Sequence, residues 1–491
     1  MEVELTGEQR VLLDEKNVLN HQTLEKYRQA GQIAQTGLLY VKSLLKDRQN
    51  PRTIGEVCRL ADQFLQRATD TAFKKSVKER GIAIPVQIEK KHFFSSVAPE
   101  EGDVFQGGEL LPGEVVKATL GIHIDGYTAQ VSHTVVIPDA EENMGEQALE
   151  GAEADAICAA YLASEAVLTK LGLAISSNHP RGGSQNVTGS VLKSVVERTA
   201  ESFHVKIAPG TRIRRVRRFL AGQTEAIQES DFKGIEWNEE HLEAQSLALA
   251  DNSSDWEDIH FEEFNVLPGE VWLVDIRMAA TNSKKGVLRT KDFTGYGNTV
   301  AKPTLYSRDY SIKYNLKMPA ARNLVSKVSN TMSVYPFKLS YVSSNQTELN
   351  SARLGLGEGV QHHIFVPHVP QTLEFVPIEA LTGSANPTRD AKKAAYPVTI
   401  AREMSTLVLI PGAQSGSGFP EAIRLTGGNK SAAPSWVHSV YQIDDEEIKE
   451  LLTVRKDKKL HGVSFQDVQP SKLIEENQAS NVVPDSMEMD S

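Results

Sequence analysis

The chain has 491 residues, 40% of them hydrophobic, which is enough to bury a large core in one big domain or in two to three ordinary ones. Its formal net charge of −11 excludes a protein that binds nucleic acid over its whole surface, so any basic site must be local. Two cysteines are too few for a disulfide framework, and we see no apolar run of about 18 residues, so no membrane partner is expected.

Helical spacing of apolar residues opens the chain. The pattern predicts helices over residues 20–45 and 54–78 and a strand over 83–88 that is broken at Pro85. Residues 115–122 and 127–137 are rich in β-branched side chains, and Asp125-Gly126 between them is a tight-turn signal. These two segments are therefore predicted to form a hairpin.

One face of that hairpin is polar. Thr119 and Gln130 lie eleven residues apart with the turn midway between them, so they should face one another or sit diagonally. Two interpretations stay open. The hairpin is either half-exposed, or its polar face lines a cavity.

A five-residue repeat divides the chain into two related halves. Leu-Pro-Gly-Glu-Val stands at residues 111–115 and again at 267–271, each time opening a strand. The repeat makes Thr119 equivalent to Asp275. Residues 148–171 and 190–203 read as amphipathic helices covering a sheet, so the expected class is α/β with pseudo-twofold symmetry.

The hairpin also resembles a known family. Residues 117–121, 123–126 and 131–134 are similar to the first metal-binding hairpin of type 2 methionine aminopeptidases, which have the pita-bread (creatinase/methionine aminopeptidase) fold. Residues 15–19, 26–36, 217–223 and 425–428 resemble its non-peptidase branches, the ribosome-binding proteins and export factors of the large pre-ribosomal subunit. The resemblance implies an N-terminal helical part (1–80), a core (81–302), a type 2-like inserted subdomain (303–395), completing strands (396–465) and an acidic disordered tail (466–491).

The resemblance also assigns the positions of the family's metal ligands. A two-metal aminopeptidase needs carboxylates and a histidine around two divalent ions. The five ligand positions fall on Thr119, Gln130, Arg212, Asp275 and Met404, with Glu403 one residue out of register and expected on the other face of its strand. Only Asp275 could still bind a metal. We therefore predict a degenerate pocket without catalytic residues, metal or cofactor, and keep a metal-dependent aminopeptidase as the alternative.

The chain concentrates positive charge in one segment. Five arginines fall within seven residues: Arg212, Arg214, Arg215, Arg217 and Arg218. Guanidinium groups match phosphates and stack on bases, so the cluster suits ribosomal RNA. The alternative is that the arginines neutralise the protein's own acidic loops, notably residues 251–263, or fill the emptied pocket. Strand alternation separates the faces of these arginines, so both interpretations can hold for different members.

The resemblance finally implies a role. Such a protein would be a non-catalytic assembly and nuclear export factor of the precursor of the large (60S) ribosomal subunit. The expected partners are ribosomal RNA and proteins at the polypeptide exit tunnel, phenylalanine-glycine nucleoporins and other biogenesis factors. The expected location is the nucleus and the cytoplasm, between which the protein would shuttle.

Overall fold

The computed structural model describes residues 15–471 except 74–75, 78, 101–107, 139–148, 177–186, 219–231, 251–260, 282–284, 297–298, 333, 344, 383–386, 428–436, 458 and 461. Part of the acidic run at 251–263 and of the predicted tail therefore lies outside the described residues. In the described part, short 3₁₀ turns occur at Glu15–Asn17, Leu339–Tyr341 and Gly412–Gln414. The α-helices are α1 (His21–Lys46), α2 (Ile54–Thr71), α3 (Ala152–Leu173), α4 (Gly189–Ser202), α5 (Glu239–Ala250), α6 (Pro319–Thr331), α7 (Gln346–Gln361), α8 (Glu379–Thr382), α9 (Pro387–Ala394) and α10 (Glu446–Asp457).

The described strands follow in chain order. They are β1 (Arg80–Lys90), β2 (Phe93–Ser95), β3 (Val115–Ile124), β4 (Tyr127–Val136), β5 (Lys206–Ile207), β6 (Thr211–Arg215), β7 (Gly234–Trp237), β8 (Val271–Ala279), β9 (Gly286–Asp292), β10 (Gly295–Tyr296), β11 (Thr299–Val300), β12 (Leu305–Arg308), β13 (Phe365–His368), β14 (Gln371–Pro377), β15 (Tyr396–Pro397), β16 (Ile400–Ile410), β17 (Glu421–Arg424), β18 (Lys459–Leu460) and β19 (Val463–Asp467). Eleven of them form one sheet, in which β16 joins the two halves by pairing with both β4 and β8.

Each half of this sheet is covered by its own pair of helices. Apolar side chains of α1 and α2 pack on β1, β3 and β4, and those of α3 and α4 pack on β6, β8 and β16. The first helix pair is capped by Asn20 and by a Thr53–Glu56 capping box. Helix α2 ends at Thr71, earlier than the predicted residue 78. The predicted α/β pita-bread fold with a pseudo-twofold repeat is confirmed.

The repeated turn is built in the same way in both halves. Gly113 and Gly269 have φ of +76° and +90°, a left-handed conformation that glycine adopts readily. The carboxylates of Glu114 and Glu270 accept a hydrogen bond from the backbone N–H of Leu111 and Leu267, at 2.9 Å in each case. The five-residue identity therefore has a local cause, because the turn needs the glycine and the glutamate.

The predicted hairpin is present as β3 and β4. All residues of both strands are buried, so the half-exposed interpretation is wrong. Thr119 pairs with Ser132 and Gln130 with Gly121, which makes the Thr119–Gln130 relation diagonal. The polar face of the hairpin thus points into the interior of the protein.

Helix α3 corrects one expectation from the sequence. It is the one described helix that is long and apolar enough to cross a membrane by length and composition. In its most apolar window, 83% of the residues are buried inside the protein, where they pack on β8 and β16. A buried core helix can therefore have the length and apolar composition of a membrane-spanning helix.

The predicted insert (303–395) contains a separate core. Side chains from α6, α7 and β13 pack together, among them Leu324, Ala352 and Phe365. The insert is tied to helix α2 by an ion pair between Lys338 and Asp62 of 2.7 Å. Strand β14 instead pairs with β2 and β9, which precede the insert. The division into domains stays a prediction.

Candidate functional site

Side chains from five strands form one row across the middle of the sheet. Thr119 pairs with Ser132, Ser132 with Met404, Met404 with Asp275, and Asp275 with Arg212. Directly paired residues project from the same face of a sheet. The positions that the resemblance assigns to metal ligands therefore lie together, with Gln130 diagonal to Thr119. We call this set the central row.

Asp275 is fully buried and is held by arginines. Its Oδ1 accepts a hydrogen bond from Nε of Arg402 at 2.7 Å, and its Oδ2 accepts one from Nη2 at 2.8 Å. Arg277 donates to Oδ2 at 3.2 Å, and Nε of Arg212 lies 3.5 Å from the same oxygen. Three guanidinium groups thus share one carboxylate.

These contacts decide whether Asp275 and Arg212 are charged. Burial alone would raise the pKa of Asp275, but Arg277 and Arg402 outweigh burial and hold that pKa well below its usual range. Burial, together with the Arg214 guanidinium, lowers the pKa of Arg212 to about 10. The carboxylate and the guanidiniums are therefore all charged near neutral pH.

Glu403 does not belong to the central row. Its carboxylate lies 2.8 Å from Nδ1 of His133 and accepts a hydrogen bond from the backbone N–H of Thr134 at 3.2 Å. Because neighbouring residues of a strand point to opposite faces, Glu403 and Met404 are separated by the sheet. Glu403 therefore cannot replace the missing ligand at position 404.

The central row does not fit a pair of divalent ions. Thr119 and Gln130 bring no negative charge, Arg212 brings positive charge, and both oxygens of Asp275 are engaged by Arg402. A divalent cation would be repelled by guanidiniums at this distance and would find too few anionic ligands. Elsewhere in the described part of the chain, no group of three His, Cys, Asp or Glu side chains is placed to hold a metal.

Two further charged residues lie beside the row. Glu89 and Lys117 pair across β1 and β3 and are both buried. The Lys117 ammonium donates to the carbonyl oxygen of Lys91 at 2.7 Å. Among the described residues, neither carboxyl oxygen of Glu89 has a hydrogen-bond partner. Burial raises the pKa of Glu89, against the effect of nearby Arg402.

The arginine cluster divides between two faces of β6. Arg212 and Arg214 pair with Asp275 and Leu273, so they share the face of the central row. Arg215 lies on the opposite face, with its Nη1 3.5 Å from Glu270. Arg212 therefore lies among the positions assigned to metal ligands. This position agrees with one alternative left open by the sequence, in which an arginine fills the emptied pocket.

The last two arginines lie beyond the end of β6. Arg218 contacts Asp125 at 2.7 Å and stacks over Tyr127. Arg217 and Arg215 line a surface cleft of about 230 Å³ with Tyr27 and Val18. RNA binding by the five arginines stays a prediction, and Arg217 and Arg215 are the members that face this cleft.

Sequence reasoning missed four of the charged residues at the site. Arg277 and Arg402 lie two residues from Asp275 and Met404, and Glu89 and Lys117 lie on the two neighbouring strands. The sequence did contain a signal, namely charged residues inside otherwise apolar strands. Such residues are rarely buried without a partner of opposite charge, so they indicate an ion-pair cluster. The alternation of a strand would have placed Arg277 and Arg402 on the face of the row.

Comparisons with known proteins agree with this fold. The chain is 43% identical over 482 residues to "Probable metalloprotease ARX1" of Yarrowia lipolytica, covering 94% of this chain and 96% of that protein. It is 32% identical to the protein of the same name from Saccharomyces cerevisiae, covering 98% of both. A solved structure described as "Structure of a thermophilic Arx1" shares the fold, with a TM-score of 0.62 and 21% identity over 88% of this chain and 98% of that one.

No protein-family model matches the chain. The relatives nevertheless align along nearly their whole length, so the likeness is not restricted to one domain. With 43% identity over 94% of its residues, the chain belongs to the family of proteins named Probable metalloprotease ARX1.

Proposed function

We propose that this protein is a non-catalytic assembly and nuclear export factor of the 60S ribosomal precursor. It binds near the polypeptide exit tunnel and shuttles between the nucleus and the cytoplasm. Its likeness to the non-peptidase branches of the aminopeptidase family supports this role. The observation that carries the non-catalytic part is the central row, where Arg402 and Arg277 occupy the one remaining acidic ligand.

The word "metalloprotease" in the relatives' names describes homology. The competing function, a metal-dependent aminopeptidase related to methionine aminopeptidase type 2, predicts stoichiometric metal and release of N-terminal methionine. We expect neither from purified full-length protein incubated with Mn²⁺, Co²⁺ or Zn²⁺ and a methionyl peptide. Metal-dependent release, abolished by Asp275→Asn, would contradict the non-catalytic assignment.

The cleft lined by Arg215 and Arg217 is the proposed RNA contact. Two guanidiniums beside Tyr27 can bind phosphate and stack on an exposed base. Arg212 is the poorest candidate of the cluster, because it belongs to the central row. Glu270 also lines the cleft and forms an ion pair of 3.5 Å with Arg215.

Sedimentation of a tagged full-length copy tests the role as a whole. We expect it to co-sediment with large-subunit precursors and to dissociate as salt is raised. Replacing both Arg215 and Arg217 by glutamine should weaken this association. The slope of log affinity against log salt concentration should fall by about two, because two phosphate contacts are lost. Arg353→Gln, an exposed arginine of the insert, is the matched control. Wild-type protein that remains at the top of the gradient would refute the proposal.

The insert offers a surface for phenylalanine-glycine nucleoporins. Tyr310, Ile312, Tyr314 and Met318 are between 36% and 43% exposed within one short segment, and exposed apolar groups of this kind favour a partner. The variant with Ile312 and Met318 both changed to serine should bind phenylalanine-glycine peptides more weakly than wild type. Leu354→Ser, at an exposed leucine of the same insert, is the control. Equal binding by all three proteins would exclude this surface.

A further inference from the structure

The central row and its neighbours hold more positive than negative charge in a buried place. The carboxylates are Asp275 and Glu89, and both are fully buried. The cations around them are Arg212, Arg277, Arg402 and Lys117. A buried charge without a counter-charge is costly, so such an excess calls for a further anion.

The surrounding groups do not remove this excess. Arg214 adds a further cation, and the exposed Glu236 acts on both Arg214 and Arg212, its partner across β6 and β7. The field of Glu153 reaches Lys117, which still leaves the cations in the majority. Burial raises the pKa of Glu89 and lowers that of its strand partner Lys117 to about 8, so the positive excess comes mainly from the three arginines around Asp275.

Hydrogen-bonding capacity is also left over. Within the described residues, the buried Nε of Arg277 donates to no acceptor, and the buried Nε of Arg212 lies 3.5 Å from Asp275 without forming a hydrogen bond. The guanidinium of Arg277 stacks on Phe94, with its Cζ 4.8 Å from the ring centroid. Stacking occupies the flat face of a guanidinium and leaves its donor edge free to bind an oxyanion.

The site opens at one side. The side chain of Arg212 is 25% exposed, whereas those of Arg277 and Arg402 are 8% and 7% exposed. Arg212 is therefore the guanidinium of this group that an anion from solvent would contact first. A phosphate inside a polynucleotide carries a sugar on each side, whereas a carboxylate presents its two oxygens at the end of a chain or side chain.

We propose that the former metal pocket is an anion-binding site, and that it takes the carboxylate of a peptide, from a chain terminus or an acidic side chain. The more exposed Arg212 binds the carboxylate first, and the more deeply buried Arg277 donates a second hydrogen bond to it. Asp275 holds the guanidiniums in place through Arg402. The replacement of ligands has thus inverted the sign of the charge that the pocket attracts. This site is separate from the proposed RNA contact, and failure of one does not affect the other.

Calorimetric titration of the full-length protein tests the proposal. The probes are acetyl-trialanine with a free carboxylate and the same peptide with a C-terminal amide, at constant ionic strength. We expect the carboxylate peptide to bind and the amide to bind at least about tenfold more weakly. Arg212→Gln should weaken carboxylate binding by about tenfold or more. Arg67→Gln, an exposed arginine on helix α2, should leave it unchanged.

Three results would overturn the proposal. These are equal affinities for the two peptides, unchanged binding by Arg212→Gln, and binding of inorganic phosphate or RNA without binding of the carboxylate peptide. The comparison of the two peptides uses wild-type protein alone, so it decides the matter even if a variant fails to fold. Competition by acetate, but not by acetamide, would be a second supporting readout.

Discussion

Asp275 shows how a single residue changes its role when its neighbours change. A buried carboxylate is costly on its own, and here three guanidiniums offset the cost of its desolvation. In return, the carboxylate fixes Arg402 by two hydrogen bonds. The carboxylate of Asp275 thus organises an ion-pair cluster.

Removing this carboxylate should therefore destabilise the protein strongly. For Asp275→Asn we expect a loss of about 3–5 kcal/mol in the free energy of unfolding, since buried guanidiniums are left without their counter-charge. Urea denaturation at pH 7 measures the loss. Asp292→Asn, at an exposed position, should change the free energy by less than about 0.5 kcal/mol. Similar values for the two variants would show that the cluster contributes little.

The pH dependence of stability follows from the same residue. An unfolded aspartate titrates near pH 4, whereas the folded pKa of Asp275 lies well below its usual range. The stabilisation is therefore complete above about pH 4 and is lost as the pH falls through and below that value. We expect the free energy of unfolding to decline more steeply between pH 5 and pH 2 in wild type than in Asp275→Asn. Parallel curves would contradict this.

The sequence predicts the positions of the central row better than its contacts. Thr119 and Asp275 could be placed at equal depth because strand alternation and the repeated turn set that depth. The partner of Asp275 could not be predicted, since Arg402 reaches it across β8 and β16, strands that are far apart in sequence. Local periodicity gives the face of a strand but not its neighbour.

At the scale of elements, the repeated turn matters most. Gly113 N–H donates to the carbonyl of Ile137 at 2.8 Å, and Gly269 N–H donates to that of Leu409 at 2.7 Å. Each turn therefore fixes the start of one strand against the end of its partner. This arrangement sets the register that aligns Thr119 with Ser132 and Asp275 with Met404.

Substitution of these glycines should carry a backbone cost. A Cβ at Gly269 would meet no atom within 4 Å, but its φ is +90°, so Gly269→Ala should lose about 1 kcal/mol through strain alone. Gly357 is a matched control, because it also has open space but lies in helix α7 with an ordinary φ. Gly357→Ala should gain about 0.5–1 kcal/mol. Thermal unfolding of both variants checks the opposite signs.

Helices and strands of the two halves were largely predictable, and the insert was not. The apolar periodicity of α1 and the β-branched runs of β3 and β4 directly reflect burial on one face or on two. The helix predicted over residues 54–78 ends at Thr71 in the structure. The polar residues after Thr71 carry no apolar pattern that would indicate the end of the helix. Strand β14 could not be assigned, since its partners β2 and β9 are short or distant in sequence.

The molecule as a whole contains two related halves and a separately packed insert. Lys338 of the insert is fully buried against Asp62 of helix α2. Asp62 also accepts a hydrogen bond from the backbone N–H of Val86 at 2.9 Å, next to an irregularity in β1. One carboxylate thus joins the insert, a helix and the edge of the large sheet.

Loss of this link should loosen the insert more than the core. Lys338→Ala leaves Asp62 buried and unpaired, which we expect to cost about 3–5 kcal/mol. Hydrogen exchange should accelerate over residues 316–365 and much less over β8 and β16. Lys327→Ala, which removes an exposed ion pair with Glu348 of 3.4 Å, should have little effect. Uniform acceleration throughout the chain would indicate that the insert has no independent mobility.

Arg402 also bears on whether a substitution at position 404 could create a metal ligand. Met404→Glu would place a carboxylate in the central row, but Nη2 of Arg402 lies 3.8 Å from the sulfur of Met404. The new carboxylate would therefore form an ion pair with Arg402 and gain no affinity for a metal.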